Sequence, residues 1–168
     1  KIRSVEACYK SSKFATELAK RTGAKLNVFH ISTQMELDLF ENTLPVEQKK
    51  ITAEVCAHHL WFTDKDYEKL GSKIKWNPAI KSNSDKDSLW KAIKEDKIDI
   101  IASDHAPHTE IEKENSYFNC PSGGPMVQHT IISLLDESPK HGVNIEKVIE
   151  KIAHNPAKIF NIKKRDRK

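Results

Sequence analysis

The stretch "IDIIASDHAPHTEIEK", residues 98–113, decides how the chain is read. A short run of β-formers gives out near Ser103, and Asp104, His105 and His108 follow at once on a loop stiffened by Pro107. Asp104 shares parity with Ile98, Ile100 and Ala102, so it reads as an acid closing an apolar row. A buried carboxylate is costly unless it is paired or bound to an ion. The alternative is a cap on the following turn, because Asp ahead of a Pro-containing loop bonds local backbone.

Working outward, two further strands precede this one. "KLNVFHIS" at 25–32 is apolar on both parities, as expected of a strand covered on both faces, and "KITAEVCA" at 50–57 repeats the pattern. Residues 4–22 carry Val5, Cys8, Phe14 and Leu18 at helical spacing, with Gly23 as a stop. Thr33 and Glu36 form a capping box opening a helix after the first strand, and "TDKD" opens a short one after the second. A loop around Asn77-Pro78 leads to a helix in "KDSLWKAIKED" and to the third strand, "KIDIIAS". Beyond the Gly/Pro loop "NCPSGGPM", helices are expected at about 125–136 and at 144–153, the second capped by Asn144, with a further turn after Asn155-Pro156. Strands separated by helices imply an α/β protein with a parallel sheet and right-handed crossovers. Three strands fall short of a closed eight-stranded barrel, which needs about 250 residues.

In such folds reactive groups gather beyond the carboxyl ends of the strands. His30 stands there in the first strand, Glu54, His58 and His59 in the second, and Asp104, His105 and His108 in the third. His30 shares parity with Leu26 and Val28, which makes a hydrogen-bonded core histidine the plainer reading. His58 and His59, taken as strand residues, face opposite sides and do not both reach one ion. Imidazole plus carboxylate suits zinc or a similar divalent ion, yet two ligands do not hold a catalytic metal. Cys56 and Cys120 read as small packing residues, and "PSGGP" lacks the lysine of a phosphate loop.

With 168 residues and 38% hydrophobic content the chain can bury a core. Basic residues exceed acidic ones by four, and they cluster only in the tail "KKRDRK", so no face is written for nucleic acid. Cys8, Cys56 and Cys120 are odd in number and lack a CxxC pair, which speaks against a disulfide framework or thiolate zinc site and suggests a reducing cytoplasm. No membrane span is evident. "KIRSVEA" lacks an initiator Met and starts in mid-pattern, as a piece of a longer chain would.

On these residues the sequence resembles the later half of the dihydroorotase family, in the cyclic amidohydrolase branch of the metal-dependent amidohydrolases. "DHAPHTEIEK" matches the family pattern of Asp, any residue, Ala-Pro-His, four residues and Lys, ending at Lys113. "VFHIST", "AEVCAHHLWFTDKD", "KWNPAIKS" and "CPSGGPMVQHTI" follow the family in order and spacing, from about residue 3 to 162. The resemblance implies that residues 1–168 are a fragment of a single catalytic (β/α)8 TIM-type barrel domain. It implies a centre of one or two zinc ions, and reversible hydrolysis of dihydroorotate to N-carbamoyl-aspartate in pyrimidine biosynthesis. By position, His30 resembles a metal ligand. Asp104 resembles the last-strand aspartate that contacts the metal centre and shuttles a proton, His108 and Asn77 resemble substrate-binding residues, and Ser122-Gly123 resembles the loop that reads the pyrimidine edge. The expected partner is a small-molecule substrate, without nucleic acid or membrane, and a homodimer is allowed.

The family's first-strand His-x-His pair, bridging carboxylate or carboxylated lysine, and further histidine ligand belong upstream, so the fragment alone is expected to be inactive. The nearest rival is a hydantoinase or allantoinase, against which His108, four residues after Asp104, together with Asn77 in "WNPAI", is the argument. A non-catalytic scaffold homologue and a self-contained three-stranded binding module are the other readings.

Overall fold

The computed structural model describes residues 3–162. The basic tail "KKRDRK" lies outside the described residues. Helix α1 (Val5–Thr22) begins where the Ser4 side chain accepts from the Ala7 amide, and it ends at Gly23, whose φ of 74° is the left-handed conformation that glycine adopts without cost. Strand β1 (Leu26–Val28) is shorter than its sequence suggests, and β2 (Ile51–Cys56) and β3 (Ile100–Ala102) lie beside it in the order β1-β2-β3. Both pairings are parallel, with Val28 opposite Ala53 and Cys56 opposite Ala102.

The alternation of side chains along β2 sets the layering. Ala53 and Val55 enter the main core with Val28, Ile98 and Ile101, against Leu89, Trp90 and Ile93 of helix α4 (Asn83–Lys94) and Leu134 and Val148 of later helices. Thr52, Glu54 and Cys56 take the other face. There the Thr52 hydroxyl donates to Asn27 Oδ1 at 2.7 Å, and Asn27 Nδ2 donates to Glu54 at 3.3 Å. The sheet is thus apolar towards its helices and polar opposite them.

Thr33 caps a turn as expected, but a 3-10 turn, Gln34–Leu39, in which Glu36 is buried and accepts from the Thr33 hydroxyl and the Ser32 amide. Helix α2 (Ala57–Trp61) leaves β2 directly, and a Thr63–Asp66 capping box precedes α3 (Tyr67–Leu70). Helix α4 starts earlier than the hydrophobic pattern indicates, because Ser82 and Asp85 form a reciprocal capping box. Asp85 also accepts from the Gln34 amide at 2.8 Å. After α5 (Glu110–Lys113), α6 runs only over Thr130–Glu137; residues 125–129 are loop and turn, tied to the glycine segment by bonds such as Met126 N to Gly124 O. Asn144 caps α7 (Ile145–Ile149), the chain passes through a π-helical turn at Glu150–His154, and α8 (Asn155–Ile159) holds the expected last turn.

Charge closes the amino ends of the strands. Lys49 and Asp99 are each 2% exposed and pair at 2.7 Å, while Asp99 also accepts from the Ala53 amide. Burial nonetheless pushes the Asp99 carboxyl above its usual range, against the pull of Lys49. Lys151, also buried, reaches Asp96 at 2.6 Å. No described helix is long and apolar enough to cross a membrane.

Candidate metal and substrate site

The opposite, carboxyl ends of the strands carry the candidate residues. His30 follows β1 by two residues and Asp104 follows β3 by two, and both have positive φ, 44° and 47°. Outside glycine this conformation is uncommon and costs about 1–3 kcal/mol, with Asp, Asn and His best able to adopt it. It also breaks the alternation on which the parity readings rest. After His30 turns, Ile31 enters the core fully buried and its amide donates to Glu54 O at 2.7 Å, while the His30 ring is left half-buried. His30 is therefore not the buried continuation of Leu26 and Val28. Asp104 is likewise exposed rather than buried at the end of an apolar row.

His58 and His59 need a larger correction. Strand β2 ends at Cys56, so both histidines lie on the first turn of α2, where neighbouring side chains diverge by a helical step rather than across a sheet. Both are buried, with ring centroids 4.3 Å apart. His58 stacks on Trp76 at 4.5 Å and 8°, and neither of its ring nitrogens has a hydrogen-bond partner. His59 Nε2 meets the Pro78 carbonyl at 3.1 Å, leaving Nδ1 unpartnered. Burial pushes both imidazoles far towards the neutral form, with the His30 ring adding to the effect on each.

A cleft of about 680 Å³ brings His30 and Asn77 together with Asn27 and Arg3, and Arg3 donates to Ser122 Oγ at 3.3 Å. His108 and Gly123 line a separate hollow of about 250 Å³ beside Trp76 and Lys113, and His108 Nε2 lies 3.2 Å from the Ser122 carbonyl. Asp104 lines neither. Its charge instead acts on the polar sheet face. Burial first, then the Asp104 carboxylate, push Glu54 up to about 7 against the Asn27 bond, and the same carboxylates add to the burial that raises the Cys56 thiol.

The glycine loop lies against the aspartate loop because it has no side chains to keep them apart. A Cβ on Gly123 would stand 2.6 Å from the Ala106 carbonyl oxygen, and one on Gly124 would stand 2.5 Å from the Trp76 ring. The Ala106 amide donates to Gly124 O at 3.1 Å, and the Val127 amide donates to His105 Nδ1 at 3.1 Å.

No protein-family model matches the chain. It is 36% identical to a dihydroorotase of Carboxydothermus hydrogenoformans over 149 residues, 88% of this chain and 34% of the relative. A dihydroorotase of Pyrococcus abyssi is also 36% identical, over 90% of this chain and 35% of its own length. An allantoinase of Bacillus velezensis is 32% identical over 98% of this chain and 36% of its length. The chain resembles one third of a dihydroorotase. Among solved structures, an L-hydantoinase from Arthrobacter aurescens superposes with a TM-score of 0.84 at 24% identity, covering 93% of this chain and 35% of that one. A dihydroorotase from Saccharomyces cerevisiae, in complex with 5-fluoroorotic acid, gives 0.81 at 20% identity, covering 92% of this chain and 43% of that one. These likenesses show the fold: an α/β section of a larger barrel, matching 35% and 43% of these two neighbours.

Within this dihydroorotase-like segment, two lysines hold the loops, and sequence reading missed that work. Lys113, the last residue of the "DHAPHTEIEK" motif, is buried and donates to the carbonyls of Lys75 (3.3 Å), Pro121 (3.1 Å) and Gly123 (2.9 Å). Lys75, also buried, donates to Tyr117 O at 2.6 Å and to Cys120 O. The motif spacing marks Lys113; nothing in "KIKWNP" distinguishes Lys75 from the surface lysines around it.

Proposed function

We propose that the chain belongs to a zinc-dependent cyclic amide hydrolase of dihydroorotase type, acting in the cytoplasm on dihydroorotate and N-carbamoyl-aspartate. The similarity to dihydroorotases over nearly nine tenths of the chain carries this reading. The left-handed His30 and Asp104, set at the same step beyond their parallel strands, support it independently.

The donors fit zinc in kind, an imidazole nitrogen and a carboxylate oxygen, but not in number, since a catalytic zinc takes three protein ligands. His30 and Asp104 would hold the ion together with ligands from outside this segment. When bound, such an ion supplies Lewis-acid polarisation of an amide carbonyl and a hydroxide at neutral pH. Asp104, exposed at the strand end, is free to accept a proton and return it to the departing amide nitrogen. Asn77 and His108 would orient the substrate, Asn77 from the cleft it shares with His30. The Ser122 and Gly123 backbone would meet the ring edge, in a loop fixed by Lys113. Residues 1–168 are then one part of a single barrel domain, inactive by itself.

In the complete enzyme that bears this segment, Asp104→Ala should lower dihydroorotate hydrolysis by about 10²–10⁴-fold, the usual contribution of a positioned acid-base group. Hydrolysis at the parental rate by the folded variant would overturn the assignment. The allantoinase relative makes allantoin the second substrate to assay, and preference for it would replace the dihydroorotate reading.

A further inference from the structure

We propose that Cys56, His58 and His59 form a buried ion site of their own, separate from the His30–Asp104 rim, for a thiophilic d10 cation, Zn²⁺ or Cu⁺. The proposal goes beyond the hydrolase reading and does not rest on it.

The three side chains each place one ligand atom within 4.8 Å of the others, and the three are at most 3% exposed. They are the group of three or more metal-capable side chains that comes together among the described residues. Cys56 closes β2 and the histidines follow on the first turn of α2, so one strand-to-helix junction presents all three. The hydrogen bonds point the same way. A carbonyl only accepts, so the 3.1 Å contact between His59 Nε2 and Pro78 O puts the ring proton on Nε2 and leaves Nδ1 a bare lone pair, facing no donor. A second nitrogen tied to a backbone carbonyl is how ligating histidines are commonly oriented. His58 has no partner at either nitrogen and is held by its stack on Trp76. Buried polar atoms left unsatisfied are costly, and an ion would satisfy one nitrogen on each ring.

The burial that keeps both imidazoles neutral leaves them competent as ligands, because only the neutral ring has a free lone pair. The thiol must lose its proton: the S–H bond breaks, a sulfur–metal bond forms, and the proton passes to solvent. Two imidazoles and one thiolate are a set that Zn²⁺ and Cu⁺ both accept, and Cu⁺ leaves the buried site with no net charge.

The test uses the purified, reduced chain stripped of metal. Titration with Co²⁺ as a spectroscopic stand-in should give a thiolate charge-transfer band in the near ultraviolet, saturating at about one ion per chain and reversed by Zn²⁺. Parallel titration with Cu⁺ against a chromophoric chelator identifies the preferred ion. Cys56→Ser should abolish the band, and His59→Gln should weaken binding by about 100-fold or more. Cys8→Ser and Cys120→Ser should leave the band intact. His30→Gln and Asp104→Asn should leave it intact too, which separates this site from the proposed catalytic centre. Circular dichroism checks that each variant folds, and His58→Gln serves where Cys56→Ser does not. Absence of a thiolate band from the folded parent chain, or its loss in His30→Gln, would overturn the proposal.

Discussion

Lys113→Met removes the ammonium that ties the glycine loop to the aspartate loop while keeping most of the side chain's volume. Three carbonyls, on Lys75, Pro121 and Gly123, lose their donor at distances of 2.9–3.3 Å. Hydrogen bonds to a charged group contribute about 1.5–3 kcal/mol each, but burial opposes the charge. That opposition is visible in Lys113, whose pKa is lowered chiefly by desolvation. The net loss should therefore be about 2–4 kcal/mol, well below the sum of three bonds, or about 30- to 800-fold in the folding equilibrium. Urea denaturation followed by circular dichroism reads it as a lowered midpoint with an unchanged slope. Hydrogen exchange should quicken at the amides of Gly123 and Ala106, which donate to Lys75 O and Gly124 O across this junction. Lys113→Arg should not rescue, because the site is 7% exposed and shaped for a compact ammonium. A midpoint within about 0.5 kcal/mol of the parent, the scatter of ordinary surface changes, would refute the clamp.

Two further outcomes are expected. Glu54 binds a proton more tightly folded than unfolded, with its pKa raised to about 7 from 4.5, so it costs stability as pH climbs through that window. Glu54→Gln should accordingly leave the metal-free chain unchanged near pH 4, below the unfolded pKa, and stabilise it by about 1–2 kcal/mol at pH 8, after discounting for partial exposure; equal melting curves at pH 8 would contradict this. Asp99→Ala leaves the Lys49 ammonium buried without its partner and the Ala53 amide without an acceptor. It should cost about 3–5 kcal/mol in chemical denaturation, and a loss below about 1 kcal/mol would show that water reaches that pair.

Much of the scaffold was legible because its signals are local. Gly23 stops α1, and Thr33 and Asn144 cap what they were expected to cap, each through a side chain bonded three residues on. All three strands fall inside the apolar runs. What stayed hidden depends on partners distant in sequence. The motif marks Lys113 without saying what it holds and nothing local marks Lys75, because the carbonyls that bury their ammonium groups lie up to 45 residues away. Residues 125–129 carry apolar positions that suit a helix, yet contacts with the glycine loop hold them outside one. The candidate site shows the same division. Type and position singled out His30, Asp104 and His108, whereas parity misplaced the first two, because one left-handed residue resets the phase of everything after it. His58 and His59 were misjudged for want of one boundary: the strand ends at Cys56 instead of running on through the two histidines.

The turn at His30 and Asp104 also narrows which side chains evolution can try there. A β-branched or bulky aliphatic residue strains the backbone at φ near 45°, whereas Asn, Asp, His and Gly tolerate it. Three of those four carry nitrogen or oxygen donors. Substitution at these rim positions without backbone strain therefore mostly exchanges one polar group for another.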